Sequence, residues 1–157
     1  VYAMCRVYEI NTVPTWNNFY TAFSFGLTVL IGGPVLGYLL LRGANIQGCG
    51  LRLLPVISLT GLVISMVLVV MQSAGLANIH SSVQAASALI PQYGSLSAWR
   101  LVLIILGLGC WVCPLIMRKR PALRSMILAF VLVFSGELVG RAIFYGLHMT
   151  VGMAVSG

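Results

Sequence analysis

The sequence predicts an all-α, polytopic membrane helical bundle: four transmembrane helices preceded by the end of another. Three observations carry that expectation. Of 157 residues, 60% are hydrophobic and 7% charged, where a soluble domain carries about 25% charged residues. The apolar residues gather in runs long enough to cross a bilayer, which takes about 20 residues rising ~1.5 Å each. Most of the 9 basic residues, set against 2 acidic ones for a net charge of +7, fall in the connections between those runs. This composition excludes a soluble enzyme, a nucleic-acid-binding domain and a disordered tail.

Residues 1–8 (VYAMCRVY) read as the end of a truncated transmembrane helix. They lack the charged start and small-residue cleavage site of a signal peptide, so the chain is expected to begin inside a larger membrane protein. The first full span is 19–41. Its Gly32-Gly33-Pro34 triplet is expected to loosen or kink the helix, because Pro34 removes a backbone donor. The second span is 53–77, with Pro55 in a first turn where a missing N–H is harmless. The third, 101–117, is the shortest, and the fourth runs over 125–149. Residues 80–98 form a loop between the second and third spans. Val83, Ala86 and Ile90 recur there at helical spacing, which fits either a short interfacial helix ended by Pro91 or an ordinary loop.

The charges set the orientation. Arg42 and Arg52 flank the turn after the first span, and Arg118, Lys119, Arg120 and Arg124 fill the turn after the third. The other side receives Arg6, Arg100 and Glu9. Positive residues stay cytoplasmic, so both ends of the chain and the 80–98 loop are expected to face outward.

Ionisable groups inside a bilayer are costly and therefore candidates for function. Glu137 and Arg141 stand four residues apart on one face of the fourth span. The same face continues to Tyr145 and His148, with Gly136 and Gly140 beside it as a small-xxx-small pair that admits a neighbouring helix. One reading is a Glu–Arg pair that neutralises itself and pins the helix to the bundle. The other is a polar, quinol-binding pocket near the outer surface, joined by His80 from the end of the second span. Quinol oxidation releases two protons, so acceptors close to water suit it. Tyr93, Trp99 and Tyr145 would supply aromatic walls. Either histidine also reads as an ordinary solvated cap.

Other chemistries find no support. The two histidines sit at one surface, not facing each other as haem ligands would. Cys110 and Cys113 have redox spacing but lie inside a span, where buried cysteines pack as small apolar groups. The four cysteines form no disulfide ladder, and no nucleotide loop, metal motif or GxSxG serine is present.

Longer strings carry a resemblance. Thr12-Val13-Pro14-Thr15-Trp16, the stretch from Ile79-His80-Ser81-Ser82 to Trp99-Arg100, Gly109–Ile116 (GCWVCPLI), and Gly136-Glu137-Leu138-Val139-Gly140-Arg141 through Met153 closely resemble the membrane anchor subunit of bacterial dimethyl sulfoxide reductases. That subunit has about eight spans, so the chain looks like its C-terminal half. The resemblance implies a non-catalytic, multi-pass anchor in the bacterial inner membrane, supporting anaerobic respiration and electron transport. Its implied partners are an iron–sulfur electron-transfer subunit and a molybdopterin catalytic subunit that reduces sulfoxides or N-oxides. Menaquinol is the implied electron source, with iron–sulfur clusters and molybdopterin in the partners and no cofactor bound by this chain. The quinol reading of His80, Glu137, Arg141, Tyr145 and His148 rests on depth and facing, and is not carried over from the family. The alternative function is half of a secondary transporter, with a broken first span and Glu137–Arg141 as its intramembrane polar site.

Overall fold

Apolar side chains on all faces of a segment leave its backbone groups only one way to be satisfied in lipid, which is along the helix itself. The computed structural model follows that logic. It describes residues 1–9, 11, 16–17, 19–46, 48–76 and 93–146, and among them every regular element is helical. A short helix α1 (Tyr2–Tyr8) is followed by α2 (Phe19–Gly43), a 3-10 turn (Cys49–Arg52), α3 (Leu53–Leu76), α4 (Tyr93–Ile116) and α5 (Leu123–Gly146). The four long helices have the length and apolarity of membrane spans. At 24 or 25 residues each reaches about 36 Å, beyond the ~30 Å hydrocarbon core.

The helices pair as two hairpins, α2 with α3 and α4 with α5, joined mainly through α2 against α5. The α4–α5 contact is the most extensive, and small residues make it possible. A Cβ placed on Gly107 would stand 2.8 Å from the Ala129 carbonyl oxygen, so the two backbones nearly touch there. Ile31, Val35, Ile104, Leu108, Trp111, Met126 and Val133 fill the middle of the bundle. Two hydroxyls stitch neighbouring helices: Ser58 Oγ donates to the Ile31 carbonyl at 2.9 Å and Ser125 Oγ to the Cys110 carbonyl at 2.6 Å.

The outward surface is apolar. Val56, Val63, Val67 and Val70 on α3, and Leu128, Val131, Phe134 and Leu138 on α5, are all exposed. A water-soluble monomer rarely tolerates so continuous a patch, whereas lipid solvates it readily.

Several details differ from the sequence reading. α4 begins at Tyr93, so residues 93–98 are its first turns and not loop. Ser97 and Arg100 are buried there against neighbouring helices, which is why a polar stretch can be part of a span. α2 continues through Pro34 as one uninterrupted helix, with Pro34 buried. Cys110 and Cys113 are free thiols, and Cys113 is exposed, because Trp111 takes the buried position on that turn at 0% exposure. His80, His148 and the 80–92 part of the loop lie outside the described residues.

Both helices that end at the basic face close in the same way. Asn45 N–H bonds to the Arg42 carbonyl and Ile46 N–H to that of Leu41. Arg118 N–H bonds to the Leu115 carbonyl and Lys119 N–H to that of Pro114. These are Schellman motifs, and their left-handed residues are Asn45 (φ 56°) and Arg118 (φ 54°). Asparagine tolerates that conformation. For arginine it is strained, and glycine is the usual occupant.

Candidate functional site

The candidate site is built around Glu137 on α5. Its residue is 6% exposed, and a carboxylate at such depth needs charge and hydrogen-bond partners. Arg100, from the second turn of α4 and 9% exposed, supplies the charge: its Nη2 lies 3.5 Å from Glu137 Oε1. Gly140 makes this reach possible. A Cβ at that position would fall 2.7 Å from Arg100 Nε and 2.9 Å from Cζ, so the guanidinium lies across the bare glycine. Gly136, one turn earlier, would meet the Arg100 backbone oxygen at 3.0 Å and Ile104 Cγ1 at 2.7 Å. The small-xxx-small pair thus seats α4 and makes room for an ion pair between helices.

The other carboxylate oxygen is held from α2. Thr28 Oγ1 donates to Glu137 Oε2 at 2.7 Å, with the Ser24 carbonyl a longer second acceptor at 3.0 Å. Arg141 Nη2 in turn donates to Thr28 Oγ1 at 3.0 Å. The Arg141 guanidinium also stands 3.9 Å above the centre of the Phe25 ring, a cation–π contact that steadies a charge away from water. Glu137 and Arg141 therefore do not form the self-contained pair expected from their spacing. The ion partner of Glu137 is Arg100, and Arg141 reaches it only through a threonine. The reason is facing: Arg141 turns toward α2, where Phe25 and Thr28 receive it.

Some hydrogen-bonding capacity is left over. Arg100 Nε, Arg141 Nη1 and Glu137 Oε1 are buried without a hydrogen-bond partner. Beside Arg100 is a small cavity of about 20 Å³, lined also by Thr21, Ser24, Gln72, Ser97 and Gly140. That is room for about one water molecule, with enough polar groups to hold it. The ring of a quinol does not fit there.

Aromatic rings close this end of the bundle. Tyr8 packs its ring edge-on to Phe144 at 5.2 Å and stacks on Phe25 at 5.6 Å. Trp16 stacks on Phe144 at 5.4 Å and donates its Nε1–H to the Phe144 carbonyl at 3.0 Å. Tyr145, half exposed, shares a hydrogen bond of 2.9 Å with the Tyr8 hydroxyl. Trp99, by contrast, points outward at 62% exposure. Of the site residues read from sequence, Glu137, Arg141 and Tyr145 thus stand at one end of the bundle. Sequence reasoning misses Arg100 and Thr28 as members, and also the part played by Tyr8 and Trp16.

The family model for the DMSO reductase anchor subunit (DmsC) matches residues 1–147, the helices that build this site included. The chain belongs to the DMSO reductase anchor subunit family. It is 53% identical, over 99% of its length, to the C subunit of anaerobic dimethyl sulfoxide reductase from Escherichia coli strain K12. It is 50% identical over its whole length to the YnfH subunit of the same organism, and 38% identical to the Haemophilus influenzae C subunit. The chain spans about half the length of these relatives, 54–55% of each. No solved structure matches. Family membership and four apolar spans together make this a multi-pass membrane anchor. The transporter alternative finds no support in these matches.

Proposed function

We propose that the chain forms half of the membrane anchor of an anaerobic respiratory sulfoxide or N-oxide reductase in the bacterial inner membrane. In this reading it docks an iron–sulfur subunit and a molybdopterin catalytic subunit, performs no catalysis on the sulfoxide itself, and supports menaquinol oxidation. Both of its ends face the periplasm, and Glu137, Arg100 and Arg141 lie toward that side. Family membership and the names of the relatives support the assembly role. One structural observation carries the quinol role: two spare donors, Arg100 Nε and Arg141 Nη1, and one spare acceptor, Glu137 Oε1, are buried together at the aromatic end of the bundle.

A quinol oxygen both donates and accepts hydrogen bonds, which matches that set. The cluster sums to one excess positive charge, two guanidiniums to one carboxylate. Glu137 positions Arg100, whose guanidinium borders the small cavity and would reach a quinol oxygen through a water there. The ring itself would stand outside, against Tyr145 with His80 and His148. Menaquinol supplies two electrons for the iron–sulfur subunit and releases two protons.

The test is binding of a fluorescent quinol analogue to membranes carrying the assembled complex, wild type against His80→Ala, Glu137→Gln and His148→Ala. Loss of one charged hydrogen bond predicts weakening of about tenfold or more for Glu137→Gln with assembly intact. Unchanged binding in all three variants would leave these helices as scaffold.

A further inference from the structure

The opposite end of the bundle holds a second, larger feature that the anchor reading does not use. A cleft of about 890 Å³ opens between the ends of α2 and α4 and the start of α3, within the size range of pockets that take small ligands. Five cations line it: Arg42 from the last turn of α2, Arg52 from the 3-10 turn, and Arg118, Lys119 and Arg120 from the connection between α4 and α5. Neither glutamate of the chain is at this end, since Glu9 follows α1 and Glu137 is in the outer cluster.

We propose that this cleft binds an anionic phospholipid, its phosphate among the five cations and the start of its acyl chains along the apolar wall. Three observations converge on that occupant. The cations come from three separate segments yet face one space, where a merely solvated basic turn would spread them. One of them, Arg118, is held in the left-handed conformation (φ 54°) by the Schellman closure of α4, and strained residues of this kind concentrate at ligand clamps. The rest of the lining is apolar, from Leu51, Pro55 and Leu115, with Tyr38 from the core. A soluble anion or an acidic peptide uses the charges but leaves that wall wet. A phospholipid uses both, and the cleft lies where the spans end, at the depth of lipid phosphates.

Native mass spectrometry of the protein released from membranes tests this. Dioleoylphosphatidylglycerol is titrated against dioleoylphosphatidylcholine, and soluble glycerol phosphate is added as competitor. The expected result is at least about tenfold preferential retention of the anionic lipid, untouched by equimolar glycerol phosphate. It falls to parity in Arg52→Gln/Arg118→Gln/Arg120→Gln but persists in Arg6→Gln at the far end. Equal retention of both lipids, displacement by glycerol phosphate, or an unaltered preference in the triple variant would each overturn the proposal. The wild-type lipid comparison and the competitor decide it even if the triple variant is poorly folded.

Discussion

Removing the Glu137 carboxylate strands the Arg100 guanidinium across Gly140 with no counter-charge. Glu137→Ala should therefore destabilise the bundle by about 3–5 kcal/mol, read as a lowered unfolding temperature in detergent. Replacing both partners, Arg100→Leu with Glu137→Leu, should recover most of that loss, since no buried charge remains unpaired. Simple additivity of the two single losses would refute the coupling. Sequence alone shows half of this arrangement. The four-residue spacing of Glu137 and Arg141 marks one helix face, but it does not show that Arg141 turns to Phe25 and Thr28. Thr28 is 109 positions from Glu137, and nothing distinguishes it from any other threonine in a span. Arg100 leaves a usable trace. A span with a single carboxylate calls for a cation from elsewhere, but an apolar run that begins at Leu101 stops one residue short of it.

At the scale of a helix, the closeness of α4 and α5 is set by what is missing from Gly107, Gly136 and Gly140. Gly107→Ala and Gly136→Ala push against backbone oxygens at 2.8 and 3.0 Å and should each cost about 1–3 kcal/mol. Gly26→Ala on α2 meets nothing within 4 Å, and should gain about 0.5–1 kcal/mol through helix propensity. Thermal unfolding of the three variants side by side checks the contrast, which disappears if the α4–α5 approach is looser. At the end of α4, Arg118→Gly relieves a left-handed arginine and should stabilise by about 1 kcal/mol. That gain would come with weaker retention of anionic lipid. Spans are readable from apolar length, but the start of α4 is not. Ser95, Ser97 and Arg100 look like loop until a neighbouring helix is there to bury them.

For the molecule as a whole, the basic turns and the aromatic end lie on opposite sides of the apolar belt. In a background without native cysteines, Arg6→Cys should react with a membrane-impermeant maleimide in intact cells, and Arg120→Cys only after permeabilisation. Labelling of both from the same side would break the four-span arrangement. The reverse pattern would invert the proposed orientation. Charge asymmetry makes this legible in sequence. The gathering of those same charges around one cleft is not, because it depends on how three chain turns fold toward each other.

The Arg100–Glu137 pair also bears on how the bundle is made. A lone arginine or acidic residue entering lipid on an isolated helix carries a penalty of about 2.5–3.5 kcal/mol, and α4 and α5 each hold such a charge. The two neutralise each other within a single hairpin, across a connection of only a few residues. The hairpin can thus leave the insertion machinery with those two charges already paired, while the remaining Arg141 is met by Thr28 and Phe25 of α2. Birth order along the chain and the placing of charges are in this sense one design: two charges costly to strand in lipid stand on helices made one directly after the other.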